Sequence, residues 1–487
     1  MTYETVIGLE VHVELATKSK LFCSCSAAFG AAANENVCPA CAGMPGMAAV
    51  VNKRAIELGM AACLVTDSEI AAVTTFDKKN YFYPDLPTGY QITQLYAPIG
   101  RNGTVAIATA AGSRRISLKQ IHIEEDAGKL VHDKRSGSTL VDFNRASVPL
   151  IEIVSNPDFR SADEVVAYLE KLRSLLSFAG VSDCKMQEGS MRCDVNLSVR
   201  PASPLGESAD APRPYGVRTE IKNMNSLRAI TRAIAYESAR HIDILEGGAG
   251  ELIQETRRWD DAKGMTFAMR DKEDATDYRY FPNPELLPIR ISAEWIEDVH
   301  AALPEPAAAK FARMTEEMGL SAYDSRIITG SAALAAIFDG VLKDYNRPKT
   351  VVNWIMVELL SIAKGDNKGE DDIRIDTAKF ARLMALVDDG TINRTTGKEV
   401  LEKILTENTD PDSYIAAQGL ANISDDGLVA RLVAEVLAEN EKSVGEYLGG
   451  NQKAFGFLVG QVMKKAERKA DPKAVNELLR RELDGRA

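Results

Sequence analysis

The sequence predicts an α+β fold: a large N-terminal cradle-like domain on an antiparallel sheet, then an all-α helical domain, then a small helical tail. Three observations carry that prediction. Stretches of strict period-2 alternation fall within residues 1 to about 290, three prolines interrupt the pattern in FPNPELLP (Phe281–Pro288), and from Ser292 onward apolar residues recur at helical spacing. The expected boundaries are 1–290, 291–407 and 408–487.

The first strand is YETVIGLEVHVEL, with Leu9, Val11, Val13 and Leu15 on one face and Glu10, His12 and Glu14 on the other. PLIEIV (Pro149–Val154) is almost wholly apolar, as a strand buried on both faces should be, and Glu152 inside it then needs a partner. Ser161 and Glu164 form a capping box for a helix whose stripe is Val165, Tyr168, Leu169, Leu172 and Leu176, ending near Gly180. RCDVNLSV sets Cys193, Val195, Leu197 and Val199 against Arg192, Asp194, Asn196 and Ser198, and VRTEIKN groups Arg218, Glu220 and Lys222. The Pro-, Ala- and Ser-rich segment Arg200–Pro214 joins these two strands as a mobile loop. SAEWIEDVHAAL and TAKFARLMALVDDG read as helices. TENTDPDSYIAAQGLANISDDG reads as a hinge near residues 407–427, and the last sixty residues are helical again.

Composition bounds the class. With 487 residues, 45% apolar and 26% charged, the chain is globular and has room for several domains. Its net charge of −12 argues against a general nucleic-acid coat protein, though not against an enzyme that grips RNA with a local basic patch. The most apolar stretch, Thr350–Ala363, is too short to span a bilayer and contains Asn353 and Glu358. MTYETVIGLE has neither a basic n-region nor an apolar h-region. No membrane association and a cytoplasmic location are therefore expected.

Four of the seven cysteines fall within nineteen residues as Cys23-Ser-Cys25 and Cys38-Pro-Ala-Cys41. Two close thiolate pairs supply the tetrahedral sulfur set of a structural zinc site, which leaves no open position for chemistry. Cys63, Cys184 and Cys193 lie in apolar contexts and are expected in the core.

Glu10, His12, Asp194 and Glu220 project from the polar faces of the alternating strands. Hard oxygen ligands with one imidazole suit Mg²⁺ shared with substrate phosphates. KQIHIEEDAGKL adds Glu124, Glu125 and Asp126 in a row. Alternation places Glu124 with His122 and Glu125 on the opposite face, so periodicity alone does not choose between the two acids. There is no G-x-x-x-x-G-K-[ST] loop, no G-x-G-x-x-G after a strand and no H-E-x-x-H, so any ATP is held by metal and by lysines on a sheet face, such as Lys78-Lys79.

GLEVHVEL, CSCS…CPACAGMPG, DKKNYFYPDLPTGYQITQ, IHIEEDAGKL, FNRASVPLIEIV, MRCDVNLSVR, TEIKNMNS, ETRRWD and the tail GNQKAFGFLVGQVMKKAERKADP follow one another in this order. Together they resemble the GatB family, the B subunits of the aspartyl/glutamyl-tRNA(Asn/Gln) amidotransferases. The resemblance implies a cradle-like catalytic domain, a helical domain and a tail related to the YqeY family. It implies a carbon–nitrogen ligase with glutamine as amido donor. The side-chain carboxylate of misacylated Asp-tRNA(Asn) or Glu-tRNA(Gln) is phosphorylated by ATP, and ammonia then displaces phosphate to give Asn-tRNA or Gln-tRNA. Ammonia would come from the amidase (A) subunit, with the small C subunit completing a heterotrimer; nothing in this chain resembles an amidase. Carried over residue by residue, the resemblance gives metal ligands at Glu10, His12, Glu125, Asp194 and Glu220, with His12, Glu125 and Glu220 catalytic. Lys79 and Arg192 would contact phosphate. The competing reading is a zinc-stabilised RNA-binding scaffold whose acidic sheet face is mere surface.

The tail carries its own charge signal. From Gln452 to Ala487 there are nine basic residues against five acidic ones, and Lys464, Lys465, Arg468 and Lys469 would cluster on one side of a helix, which reads as a tRNA-binding tail against the alternative of a solvated helix face.

Overall fold

The structure, a computed structural model, describes the chain apart from residues 1, 134, 203–212, 270–277, 367–368, 423–425, 450, 467–471 and 486–487, and apart from the side chains of 426–428 and 472–474. Most of the expected loop between Arg200 and Pro214 therefore lies outside the described residues. The chain divides into two compact units, Met1–Ala307 and Ala308–Ala487.

In the first unit the elements that position the site are β1 (Tyr3–Glu14), α1 (Lys53–Val65), β2 (Asp77–Asn80), β3 (Tyr90–Thr93), β4 (Gly112–Glu125), β5 (Pro149–Ser155), α2 (Ala162–Phe178), β6 (Met191–Pro201), β7 (Thr219–Lys222), α3 (Leu227–Leu245), β8 (Glu255–Asp260), β9 (Met265–Ala268) and α4 (Ala293–Ala301). A ten-stranded sheet runs β9-β8-β7-β6-β1-β5-β4, continues through Gly100–Arg101 to Glu69–Ile70, and carries Thr104–Thr109 on β4. The expectation of an antiparallel sheet holds for every pair except β7–β8, which is parallel. The exception has a simple cause: α3 connects those two strands, and a helical crossover returns the chain in the same direction.

Leu9, Val11 and Val13 of β1 and Val195 and Leu197 of β6 join the main core with residues of α1, α2 and α3. The apolar face is thus covered by helices, and the alternate residues Glu10, His12, Arg192 and Asp194 turn to the other face. Ser161 caps α2, its Oγ accepting the Glu164 amide at 3.2 Å. Cys63, Cys184 and Cys193 are buried in this core.

The first unit extends past the expected break near residue 290. Ile291 and Val299 pack into the main core with Trp295 and Ile296 beside them, so α4 belongs to the cradle's unit.

Among the described residues the second unit is helical. The apolar stretch Thr350–Ala363 lies in a helix that passes through a π-helical segment at Trp354–Leu359, where Glu358 is paired to Arg394 at 3.1 Å. No single helix is long and apolar enough to cross a membrane among the described residues. Within the expected hinge, Pro411–Gln418 forms a short helix, because Asp410 caps it and Pro411 starts it. Val433, Val436, Leu458, Val462, Leu479 and Leu483 form a separate small core in the tail.

Candidate active site and metal centre

The polar face of the sheet is the floor of a cavity of about 680 Å³. Register builds it. Arg192, His12, Glu152 and His122 stand opposite one another on β6, β1, β5 and β4, while Glu10 faces Asp194 and Asn196 faces Glu220. A small sheet of β2, β3 and Phe281–Pro282 forms a wall. Thr93 Oγ1 fastens it by donating to Glu124 Oε2 at 3.1 Å, and Gln91 Nε2 by donating to the Glu125 carbonyl at 2.8 Å.

Two trios of potential ligand atoms occupy the floor, each with its atoms within 4.8 Å of one another: His12, Glu124 and Glu152, and Glu10, Asp194 and Glu220. In the first, His12 Nε2 lies 3.7 Å from Glu124 Oε1 and 3.5 Å from Glu152 Oε2. Glu152 has the partner its burial demands, since His122 Nε2 is 2.8 Å from its Oε2. Burial works against both imidazolium ions, yet Glu152, helped by Glu124, lifts His12 to about 9 and His122 to about 10. Burial opposes ionisation of Glu152 too, but the two imidazoles hold its carboxyl well below the usual range.

In the second trio, burial and the nearby carboxylates of Glu152 and Glu220 push Glu10 upward. Asn196 Nδ2 donates to Glu10 Oε1 at 2.9 Å, and Thr256 Oγ1 donates to Glu220 Oε2 at 2.9 Å. Lys222 Nζ sits 2.6 Å from Asp194 Oδ2 and 3.1 Å from Glu220 Oε1.

Glu10, His12, Asp194 and Glu220 all line the large cavity, His12 in the first trio and the three acids in the second, whereas Glu125 of the expected ligand set lies on the opposite face. Consecutive residues of β4 point to opposite faces, so Glu124 meets His12 while Glu125 turns away. Glu125 Oε1 accepts the Ile92 amide at 2.9 Å, burial raises its carboxyl to about 7, and it lines a second cavity of about 260 Å³ with Cys41, Thr88 and Ser147.

Lys79 and Arg192 both line the large cavity. The Lys79 ammonium lies 4.8 Å from the centre of the Tyr278 ring. Arg192 is anchored to Asp126 at 2.7 Å, and its Nε–H is buried without a partner. Lys78 faces elsewhere, to Glu285 at 3.3 Å. Sequence reasoning left Glu124, Glu152, His122 and Lys222 out of the expected site. The alternation had already put Glu124 beside His122, and VRTEIKN had put Lys222 beside Glu220.

The four cysteines converge as their spacing predicts, with their sulfurs within 4.8 Å of one another and 3.9 Å between Cys38 and Cys41. A ZnS₄ tetrahedron with Zn–S near 2.3 Å has S···S edges of about 3.8 Å, so the set fits zinc. The Cys23 thiol, the Cys38 backbone and the nearby Lys20 ammonium hold the Cys41 thiol down to about 4 against its burial. Lys20 is fully buried, its Nζ 3.5 Å from Cys41 Sγ and 3.1 Å from the Phe143 carbonyl. Four thiolates around a divalent ion leave two excess negative charges, and this ammonium offsets one of them. Gly43 follows with φ +67°, and a Cβ there would meet the Pro87 carbonyl oxygen at 2.8 Å, so the loop is fitted closely to its neighbour.

Residues 5–297 match the family described as the GatB/GatE catalytic domain, and residues 336–483 match the one described as the GatB domain. The chain is similar to the B subunit of the aspartyl/glutamyl-tRNA(Asn/Gln) amidotransferase of Lachnoclostridium phytofermentans, with 53% identity over 478 residues covering 98% of each chain. It is 50% identical to the protein of that name from Agathobacter rectalis over 477 residues, again 98% of each chain. For the one from Caldicellulosiruptor saccharolyticus, identity is 48% over 487 residues, 99% of this chain and all of the relative. Matched over most of its length by the two family domains and aligned end to end with these relatives, the chain belongs to the GatB family.

Proposed function

We propose that this chain catalyses the ATP-dependent amidation of aspartate or glutamate esterified to the wrong tRNA. The observation that carries this reading is the floor of the large cavity, where two carboxylate-rich trios lie beside Lys79 and Arg192. A carboxylate is a poor electrophile and an acyl phosphate a good one. One oxygen of the substrate carboxylate attacks the γ-phosphorus of ATP and ADP leaves. Ammonia then attacks the acyl carbon, and inorganic phosphate departs with that oxygen while the nitrogen loses a proton.

His12, Glu124 and Glu152, with Glu10, Asp194 and Glu220, would hold Mg²⁺, which when bound neutralises charge on the transferring phosphoryl group. Arg192 presents its guanidinium to the same cavity, where Asp126 fixes it, as a cation for a phosphate oxygen. Lys79 supplies a second cation at the same rim. Cys23, Cys25, Cys38 and Cys41 would hold a structural zinc. Glu125, turned to the other face, is left out of the ligand set.

Ammonia would reach this chain from a glutamine-hydrolysing partner, with a small third protein completing the assembly. ADP formation should therefore depend on both Mg²⁺ and misacylated tRNA, with correctly charged tRNA giving none. The chain without its amidase partner should use free ammonia and not glutamine. Glutaminase activity in the isolated chain, or ATP turnover indifferent to the tRNA's amino acid, would overturn the reading in favour of a scaffold.

The tail is assigned to tRNA affinity. Of its clustered basic residues, Arg468 and Lys469 lie outside the described residues, as do Glu467, Asp471, Arg486 and the side chain of Lys473. Lys464 is exposed, whereas Lys465 is paired to Glu439 at 2.6 Å and Glu435 at 3.0 Å. Phosphate contacts make binding salt-dependent. Truncation near Asn422 is expected to weaken tRNA binding and flatten its salt dependence while leaving Mg²⁺ binding intact. Equal affinity of the full and shortened chains at every salt concentration would reassign the tail.

A further inference from the structure

Lys222 reaches into the second carboxylate trio and closes on two of its three members. Its ammonium is 2.6 Å from Asp194 and 3.1 Å from Glu220, the two carboxylates that with Glu10 bring ligand oxygens within 4.8 Å of one another. Asn196 and Thr256 fix Glu10 and Glu220 from the side and so hold these oxygens near one another. The ammonium thus stands where two of the trio's carboxylates, Asp194 and Glu220, would offer oxygens to a divalent ion. An ammonium and a divalent ion cannot share that point, because the same oxygens would have to coordinate both and the two cations repel strongly at contact. Lysine suits a removable occupant, being a compact charge on a flexible four-carbon stem. Its side chain keeps 37% of its surface open to solvent, and it lines the cavity with Lys79, Arg192 and Arg218.

We propose that Lys222 is a displaceable internal cation. It occupies the Glu10–Asp194–Glu220 trio when no metal is bound, leaves when a divalent ion enters, and then remains in the cavity as a cation for the phosphate of ATP. Metal entry and the arming of a phosphate-binding lysine are thereby one event. This inference rests on the reading of the cavity as a metal-dependent phosphoryl-transfer site.

The test is binding of Mn²⁺ alone to the full chain, followed by electron paramagnetic resonance. Lys222→Met removes the competitor and should tighten Mn²⁺ binding by about tenfold or more. Lys222→Gln, a second neutral variant, should do the same, whereas Lys222→Arg keeps the charge and should bind Mn²⁺ no more tightly than the wild type. Both neutral variants should also raise KM for ATP. If the neutral variants bind Mn²⁺ as the wild type does, or more weakly, the displacement idea is wrong and the metal reading stands. If no form of the chain binds Mn²⁺, both fall.

Discussion

Glu124→Gln is expected to lower the rate of tRNA-dependent ADP formation by a factor on the order of 10² to 10³, the size of effect seen when a group that stabilises transition-state charge is removed. Glu124 receives Thr93 Oγ1 at 3.1 Å and faces His12 at 3.7 Å, so its carboxylate is both held in place and presented to the cavity. A glutamine keeps the shape and the contact with Thr93 while losing the charge. The fold should survive, as thermal unfolding would verify. Glu125→Gln is the informative companion, because that residue lies one position along on the other face of β4. It should leave the Mg²⁺ dependence of ADP formation unchanged. The opposite pattern, with the Mg²⁺ response lost in the Glu125 variant and kept in the Glu124 variant, would return Glu125 to the ligand set and remove Glu124.

The second large effect is expected at the cysteines. The region from Phe22 to Val50 has almost no regular secondary structure, and Phe29, Met44 and Met47 are exposed within it. A loop with so little buried apolar surface depends on its cross-link, and structural zinc contributes about 10–16 kcal/mol in small peptides. The chain purified without chelators should carry about one zinc equivalent. Cys38→Ser with Cys41→Ser should lose it and open the loop to proteases between residues 23 and 47. Loosening would reach the second cavity, which Cys41 lines together with Glu125. Zinc-free wild-type protein, or a double variant as protease-resistant as the wild type, would leave the four thiols as a reduced cluster only.

Much of the site was legible because strands impose a period of two. That period put Glu10 and His12 on one face of β1 and Asp194 on the matching face of β6, and hydrogen bonding between the strands aligned them. Glu124 and Glu125 show where local pattern and motif diverge. Alternation paired Glu124 with His122, whereas motif resemblance pointed to Glu125, and the fold brings the alternation's partner to His12. What lay beyond the sequence is non-local. The wall over the cavity depends on contacts such as Ile92 N to Glu125 Oε1, thirty-three residues apart, which no periodicity reports. The parallel β7–β8 pair follows from the length of α3 and from which strand lay free to receive the next one. The position of α4 depended on whether Val299 and Trp295 would find the cradle's core. The lysine at the acid trio was visible as a neighbour of Glu220, but its second contact required Asp194 from another strand.

The most direct test of the central claim follows oxygen. If the cavity activates the side-chain carboxylate as an acyl phosphate, one carboxylate oxygen must leave with the phosphate. Misacylated tRNA carrying ¹⁸O in both side-chain carboxylate oxygens should be converted by the complex with ATP, Mg²⁺ and ammonia, and the released inorganic phosphate analysed by mass spectrometry. The account predicts one ¹⁸O in the phosphate for each amide formed. Amide formation with unlabelled phosphate would contradict it.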